Sequence, residues 1–140
     1  MRVVRRPLFP GEFDHELVWL AVSVTVFGGG ALWLALGLPW PRCPFLEMSG
    51  YPCLTCGATR CTIAFAHGNF LHALGWNPLA TVGLCALLVF DLYAASVLIA
   101  RMPRFRTSGW RPGETKAVRI AVVVLIAANW VYLLANRGRF

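Results

Sequence analysis

Charged residues are scarce in this sequence, and acidic ones are the scarcest. The 140 residues include 13 lysines and arginines but only 6 aspartates and glutamates, and 58% of the chain is hydrophobic. A soluble domain normally has about a quarter of its residues charged, and they cover much of its surface. The composition therefore excludes an ordinary water-soluble domain and indicates that lipid surrounds much of the chain.

Three long apolar runs account for this composition. Residues 17–38 carry no charge, residues 78–100 are interrupted only by Asp91, and residues 117–135 only by Arg119. A helix of about 20 apolar residues is long enough to cross a bilayer, so we predict three transmembrane helices. The first run is longer than the apolar core of a signal peptide and follows acidic residues, so we interpret it as a retained anchor.

The predicted organisation is a single membrane domain. Its segments are a leader (1–16), a first span (17–38), a cysteine loop (39–77), a second span (78–100), a basic loop (101–116), a third span (117–135) and a tail (136–140). We predict no regular structure in the leader or the basic loop, because prolines and glycines interrupt both.

Within the cysteine loop, capping residues predict two short helices. Thr55 is placed to cap a helix that ends near Gly68, and Asn69 to cap a second helix over residues 70–76. Asn77 followed by proline is typical of a helix start and predicts the beginning of the second span. The predicted fold is an all-α integral membrane protein with three transmembrane helices. A cysteine-containing re-entrant or interfacial helical hairpin connects the first span to the second.

Basic residues are unevenly distributed around the spans. The leader and the basic loop carry most of them: Arg2, Arg5, Arg6, Arg101, Arg104, Arg106, Arg111 and Lys116, with Arg119 just inside the third span. The cysteine loop and the tail carry only Arg42, Arg60, Arg137 and Arg139. Cytoplasmic loops are enriched in lysine and arginine. We therefore predict a multi-pass protein of the bacterial cytoplasmic membrane, with its amino terminus in the cytoplasm and the cysteine loop outside.

The same distribution bears on partners. The basic residues flank membrane spans and form no basic face interleaved with aromatic residues, so nucleic acid is not an expected partner. They favour attraction to anionic lipid headgroups. The lipid bilayer is thus the expected partner, and another membrane protein is the second candidate.

The cysteine loop contains the residues that carry chemistry. Cys53 and Cys56 form a Cys-x-x-Cys motif, and Cys43 precedes it by ten residues. In an oxidising compartment, Cys43 is placed to form a structural disulfide with Cys53 or Cys56. The same three thiols are placed to bind a soft metal ion, for which zinc is the candidate, with a fourth ligand from Cys61, His67 or His72. A third alternative is thiol–disulfide exchange at Cys53 and Cys56. The spacing alone does not choose among these alternatives.

The predicted helix start should influence the thiols. Cys56 and Arg60 are four residues apart and share one helical face. Backbone amides at a helix start lower the pKa of a thiol, and a nearby arginine favours the thiolate further. We also expect Arg60 to donate hydrogen bonds to loop carbonyls or to a lipid phosphate.

Asp91 is the carboxyl group inside a predicted span. Such a group is costly in lipid and normally faces the protein interior or a partner. Asn129 in the third span lies at a depth within about 5 Å of Asp91, so the two side chains are expected to form a hydrogen bond if their helices are adjacent, and Ser23 and Thr25 on the first span are further candidate partners. The alternative roles of Asp91 are a proton or ion step, or recognition of a basic residue on another membrane protein.

Several short motifs together resemble a known family. They are Cys43-Pro44-Phe45, Pro52-Cys53-Leu54-Thr55-Cys56-Gly57-Ala58-Thr59-Arg60, His67-Gly68-Asn69-Phe70 and Asn77-Pro78. Residues 43–90 thereby resemble a bacterial family of small integral membrane proteins known only as a domain of unknown function (twenty-seven fifty-two). Its core reads Cys-Pro-x-Cys-Gly-x-Thr-Arg, and here Leu54 replaces the proline. The resemblance implies a membrane protein whose loop carries the motif cysteines Cys43, Cys53 and Cys56 and the polar motif residues Thr59, Arg60 and Asn77, and it brings no activity.

These observations predict a small, non-enzymatic accessory or assembly component whose cysteine loop is stabilised by a disulfide or a metal ion. The alternative is a membrane thiol–disulfide oxidoreductase or metal-handling protein that uses Cys53 and Cys56. An ion or proton pathway through Asp91 ranks third.

Overall fold

The computed structural model describes residues 2–6, 11–39, 43–108 and 112–139. Arg42 and Arg111, which contribute to the uneven charge distribution, lie outside these residues. The elements are β1 (Arg2–Arg6), α1 (His15–Ala35), α2 (Pro44–Ser49), α3 (Ala58–Ala66), α4 (Phe70–Trp76), α5 (Pro78–Ala100), β2 (Arg104–Ser108), α6 (Pro112–Ala135) and a final 3₁₀ turn (Arg137–Arg139).

The predicted fold class is confirmed. Helices α1, α5 and α6 are long and apolar enough to cross a membrane, and the cysteine loop lies between the first two. Only 6% of the most apolar stretch of α1 is buried within the protein, and 11% of those of α5 and α6. Apolar side chains left so exposed require lipid around them, because water would not solvate them.

The helix bounds depart from the apolar runs at three places: the starts of α1 and α6, and the end of α1, which stops at Ala35, three residues before its run ends. Helix α5 has the predicted bounds, whereas α1 begins at His15 because the Asp14 carboxylate caps it and accepts a hydrogen bond from the Leu17 amide at 3.1 Å. Helix α6 begins at Pro112, five residues before its apolar run. Hydropathy indicates which residues of a helix lie in lipid. The capping residue, and not the first apolar residue, determines where the helix begins.

The chain divides into two units. The first, which we call the α1 unit, comprises residues 1–40 and 87–114, and the second, the cysteine unit, comprises residues 41–86 and 115–140. The inner boundaries fall within α5 and α6, so each of these helices contributes to both units.

The α1 unit contains a two-stranded sheet, and the prediction that the leader and the basic loop lack regular structure was wrong. β1 and β2 pair antiparallel, with Arg2 opposite Ser108 and Arg6 opposite Arg104. β-branched and aromatic residues in both strands favour extended backbone, and the pairing satisfies backbone groups that a loop would leave to water. The Arg104 guanidinium also donates to the Asp14 carboxylate at 2.6 Å, which ties β2 to the start of α1.

In the cysteine unit, the first short helix was not predicted. Helix α2 begins at Pro44, because proline suits the first helical position, and it ends at Gly50 with a left-handed φ of 71°. Helix α4 has the predicted bounds, but the Asn69 side chain makes no capping hydrogen bond.

The start of α3 also differs from the prediction. Thr55 does not cap it, since the helix begins at Ala58 after Gly57, whose φ is 77°. Residues 53–58 form two consecutive turns, in which the Cys56 amide donates to the Cys53 carbonyl and the Ala58 amide to the Thr55 carbonyl. Gly57 permits this path because a side chain would strain a left-handed backbone.

Small residues join α3 to α4. Cys61 and Ala73 are fully buried and Ala64 is 7% exposed, and the three form one apolar cluster. Because none has a large side chain, the two short helices approach closely. The resulting α3–α4 hairpin forms the second half of the cysteine loop, after the Cys-x-x-Cys turns.

Candidate functional site

Three sulfur atoms meet at the entrance to the α3–α4 hairpin. The Sγ atoms of Cys43, Cys53 and Cys56 all lie within 4.8 Å of one another. The Cys43–Cys53 distance is 3.2 Å and the Cys53–Cys56 distance is 3.5 Å. All three are free thiols, so the disulfide predicted from the spacing is not formed in the structure. We call these residues the sulfur cluster.

The two turns of residues 53–58 bring the motif cysteines together. They fold Cys56 back toward Cys53, so that the Cys53 backbone amide donates a hydrogen bond to Cys56 Sγ at 3.2 Å. The Thr55 hydroxyl lies 3.3 Å from Cys53 Sγ. Amide and hydroxyl donors aimed at sulfur stabilise negative charge there. The contact with Thr55 therefore favours the thiolate at Cys53, whereas the amide donor at Cys56 acts against the effect of burial.

Asn77 fastens this loop to the start of α5. Its side-chain amide donates to the carbonyls of Leu54 and Cys56, each at 3.1 Å, and its Oδ1 accepts from the Ala80 amide at 3.0 Å. The last contact confirms that Asn77 caps α5. Only 1% of Asn77 is exposed. One buried side chain thus caps a span and holds the Cys-x-x-Cys turn against it.

Helix α6 supplies a second attachment. The Trp130 indole donates to the Pro52 carbonyl at 3.2 Å, and Asn129 Oδ1 accepts from the Leu79 amide at 3.0 Å. Trp130 lies five residues before the end of α6, which is roughly 8 Å of helix. The residue that precedes Cys53 therefore lies beside the last turns of a spanning helix and not beyond its end.

The pKa values of the two motif thiols move in opposite directions. Burial alone would raise the pKa of Cys53, but hydrogen bonds with Thr55, Cys43 and Cys56 outweigh it and lower the pKa to about 7. Burial and the neighbouring Cys53 raise the pKa of Cys56 to about 12. The cluster thus favours one thiolate, at Cys53, near pH 7. The prediction that a helix start and Arg60 lower the pKa of Cys56 was wrong, because α3 begins two residues later and burial dominates.

An open apolar groove borders Cys53. Its volume is about 490 Å³, and its lining residues are Phe45, Cys53, Leu54, Val123, Ile126, Ala127 and Trp130. Since the other lining residues are apolar, one side of the Cys53 thiol faces a surface suited to hydrocarbon and not to water.

The candidates for a fourth ligand lie elsewhere. Cys61 Sγ is buried in the α3–α4 hairpin, 3.2 Å from the Thr81 hydroxyl. His67 is exposed at the end of α3, and His72 packs edge-on against Trp76 at 5.8 Å. Among the described residues, the group suited to a metal contains the three cysteines alone. The predicted fourth ligands Cys61, His67 and His72 therefore do not join the sulfur cluster.

The polar candidates are also dispersed. Thr59 is half-buried in the first turn of α3, and Arg60 donates to the Arg139 carbonyl at 3.1 Å instead of to loop carbonyls. The predicted hydrogen bond between Asp91 and Asn129 is not formed. Asp91 Oδ1 and Asn129 Nδ2 are buried without a partner in the described part of the chain, and Asn129 Oδ1 accepts a hydrogen bond from the Leu79 amide at the start of α5.

Two contributors were missed by the sequence analysis. Trp130 and Arg139 both belong to the carboxyl-terminal part of the chain, yet they contact Pro52 and Arg60 respectively. No local sequence pattern predicts either contact, because each joins residues more than 70 positions apart.

A known protein family matches the part of the chain that holds this site. Residues 43–90 match the family described as Protein of unknown function (DUF2752). No curated protein and no solved structure matches the chain. The matched region contains the whole sulfur cluster and Asn77, whereas α6 lies outside it. The part of the chain that holds the candidate site is therefore similar to a protein family of unknown function.

Proposed function

We propose that this protein is a small, non-enzymatic membrane component whose sulfur cluster binds one thiophilic metal ion, with zinc the first candidate. The observation that carries the proposal is the convergence of three sulfur atoms within 4.8 Å. Zinc–sulfur bonds of about 2.3 Å arranged as a tetrahedron place sulfur atoms about 3.8 Å apart. The distances of 3.2 Å and 3.5 Å in the cluster are close to that spacing.

The chemistry of the donors fits a soft metal. Thiolates are the ligands that zinc and copper(I) prefer, and the Cys53 amide already donates to Cys56 Sγ as a second-sphere contact. Of the two motif thiols, Cys53 loses its proton more readily than Cys56, so it is expected to bind the metal before Cys56 does. Binding of the metal then requires proton release from the other thiols.

The accessory or assembly role is our proposal for how this ligand set is completed. Three protein ligands leave one tetrahedral position open. Among the described residues, no histidine or carboxylate joins the cluster to act as a general base. A ligand from a partner, which we propose to be another membrane protein, would complete the site. The metal would then either stabilise that contact or pass to the partner.

The proposed location is the bacterial cytoplasmic membrane, with the amino terminus in the cytoplasm and the sulfur cluster outside. Support comes from the excess of basic residues in the leader and the basic loop. A reporter enzyme that is active only outside the cytoplasm, fused within residues 43–76, should be active. A fusion within residues 101–116 should be inactive. The reverse pattern would overturn this orientation.

Metal analysis tests the proposed function. Protein purified in detergent without chelators should contain about one thiophilic metal ion per chain, because the cluster supplies one set of ligands. Cys43→Ser, Cys53→Ser and Cys56→Ser should each abolish the bound metal. Cys85→Ser is the matched control, since Cys85 is exposed on α5 and lies outside the cluster. Metal-free wild-type protein with a native circular dichroism spectrum, or equal metal loss in the control, would contradict the proposal.

A second candidate function is thiol–disulfide exchange, which the 3.2 Å separation of the Cys43 and Cys53 sulfurs favours. The Cys53 thiolate would attack a partner's disulfide, form a mixed disulfide and release one partner thiolate. Cys43 or Cys56 would then lose its proton, attack Cys53 Sγ and release the second partner thiolate. The partner is reduced and this chain acquires a disulfide.

The same purified protein separates the two functions. Trypsin cleaves after Arg42 and Arg60, so all three cluster cysteines fall on one peptide. Metal-free protein is treated with oxidised glutathione and then digested. If this peptide becomes lighter by two hydrogen atoms, a disulfide has formed within it, which would favour exchange.

A further inference from the structure

Two arginines distant in sequence lie against one indole. The Arg60 guanidinium carbon is 4.7 Å from the centre of the Trp76 ring, and that of Arg139 is 5.5 Å from it. Arg60 belongs to α3 and Arg139 to the 3₁₀ turn after α6. The fold therefore brings two fixed positive charges together at the end of α4, a place where they repel one another.

The hydrogen bonds of this pair leave most of its donors unused. Arg60 donates to the Arg139 carbonyl at 3.1 Å, and Arg139 donates to the Gly75 carbonyl at 2.9 Å. Each guanidinium has five N–H donors, of which one is used within the part of the chain that the structure describes. Both side chains are exposed, and no carboxylate of the residues described in the structure forms an ion pair with either.

The indole face offsets part of the repulsion but does not neutralise it. A cation over an exposed aromatic ring gains little energy compared with a charge-assisted hydrogen bond to an anion. Two arginines held in place by backbone carbonyls, with planar donors left over and no acidic neighbour among the described residues, have the chemistry that recognises phosphate. The ligand that fits is an anion with several oxygen atoms.

The position of the pair identifies the source of such an anion. Trp76 lies two residues before α5, and the Tyr132 hydroxyl near the end of α6 donates to the Gly75 carbonyl at 3.0 Å. The pair is thus at the ends of two spanning helices, where headgroups lie. On the adjacent α4, Leu71 is 87% exposed and Phe70 is 52% exposed, which suits contact with lipid chains.

We propose that Arg60 and Arg139, packed on Trp76, form a binding site for the phosphate group of an anionic phospholipid. The site anchors the α3–α4 hairpin to the headgroup layer. It makes no use of the sulfur cluster, so it stands apart from the metal proposal.

The test measures binding to purified full-length protein in neutral detergent. Its first arm titrates short-chain phosphatidylglycerol against phosphatidylcholine, and its second arm titrates inorganic phosphate. The test variant is Arg60→Gln with Arg139→Gln, because glutamine removes the charge and keeps a donor for the backbone carbonyls. Arg137→Gln is the control, since Arg137 is exposed in the same turn. An arginine near the headgroup layer contributes about a fivefold preference for anionic lipid, so the double variant should bind phosphatidylglycerol about thirtyfold more weakly.

Each outcome of this test bears on the proposed site. Weaker phosphatidylglycerol binding in the double variant with an unchanged Arg137→Gln supports the site. Phosphate binding of equal strength, lost in the same variant, supports the phosphate chemistry but assigns a soluble source. Wild-type protein that binds neither ligand overturns the proposal, and this result does not depend on the folding of a variant. Equal weakening by Arg137→Gln also overturns it, because general surface charge would then suffice.

Discussion

Asn77→Ala is expected to release the cysteine loop from α5 and to have the largest effect of any single substitution in the cysteine unit. The change removes the donors to the Leu54 and Cys56 carbonyls and the acceptor for the Ala80 amide. These backbone groups would remain buried or would have to move toward water. Each such unsatisfied group costs about 1–3 kcal/mol, so we expect a loss of about 3–5 kcal/mol in the free energy of unfolding.

The experiment should measure both the global stability of the protein and the integrity of the cysteine loop. Thermal unfolding in detergent reports the stability, and metal content reports whether the sulfur cluster remains assembled. Asn136→Ala is the matched control, because among the described residues the Asn136 side-chain amide donates to the Tyr132 carbonyl one turn away and to no distant segment. If Asn77→Ala retained the metal and unfolded at the wild-type temperature, Asn77 would not be the residue that holds the loop.

Asn77 also shows where sequence reasoning succeeds and where it ends. Asparagine followed by proline predicts a helix start, and the structure confirms it, because both signals act within one turn. The bonds from Asn77 to Leu54 and Cys56 span more than 20 residues. No local preference encodes them, since they depend on where the chain returns after α3 and α4.

The three spans were predictable because the free energy of burying apolar side chains in lipid is a sum over residues. The strand pair was not predictable in the same way. β1 and β2 belong to segments about 100 residues apart, and each is too short and too basic to favour a strand alone. Pairing between them satisfies the backbone of both, which no single segment can do.

The cysteines also fall into a group whose role was predictable and one residue whose role was not, for a similar reason. Cys43, Cys53 and Cys56 were predicted as one group from their spacing, and the structure brings them together. Cys61 was equally eligible as a ligand by composition, but its place in α3 turns it toward Ala64 and Ala73. A thiol is small and apolar enough to pack as alanine does, and only the crossing of α3 and α4 determines which role it takes.

The second large effect is expected for Ala73→Leu, which should separate α3 from α4 where the two helices cross. Ala73 has no exposed surface and packs against Cys61 and Ala64, with Trp76 and Leu84 at the edges of the cluster. A leucine adds three carbon atoms where none fits. Overpacking of this kind costs about 1–3 kcal/mol, and here it also forces apart two helices that depend on small residues for their approach.

Cys61 provides a direct measurement of the separation. It is fully buried in the hairpin, so an alkylating reagent should modify it slowly in the wild-type protein and much faster in Ala73→Leu. Trypsin cleavage after Arg60 places Cys61 on a different peptide from the sulfur cluster, which keeps the two signals separate. Ala66→Leu is the matched control, because Ala66 is exposed on α3 and the added carbon atoms meet no neighbouring helix. Equal Cys61 reactivity in the two variants would mean that close packing of small residues does not hold the hairpin together. The cysteine loop would then depend on Asn77 and Trp130 alone for its position.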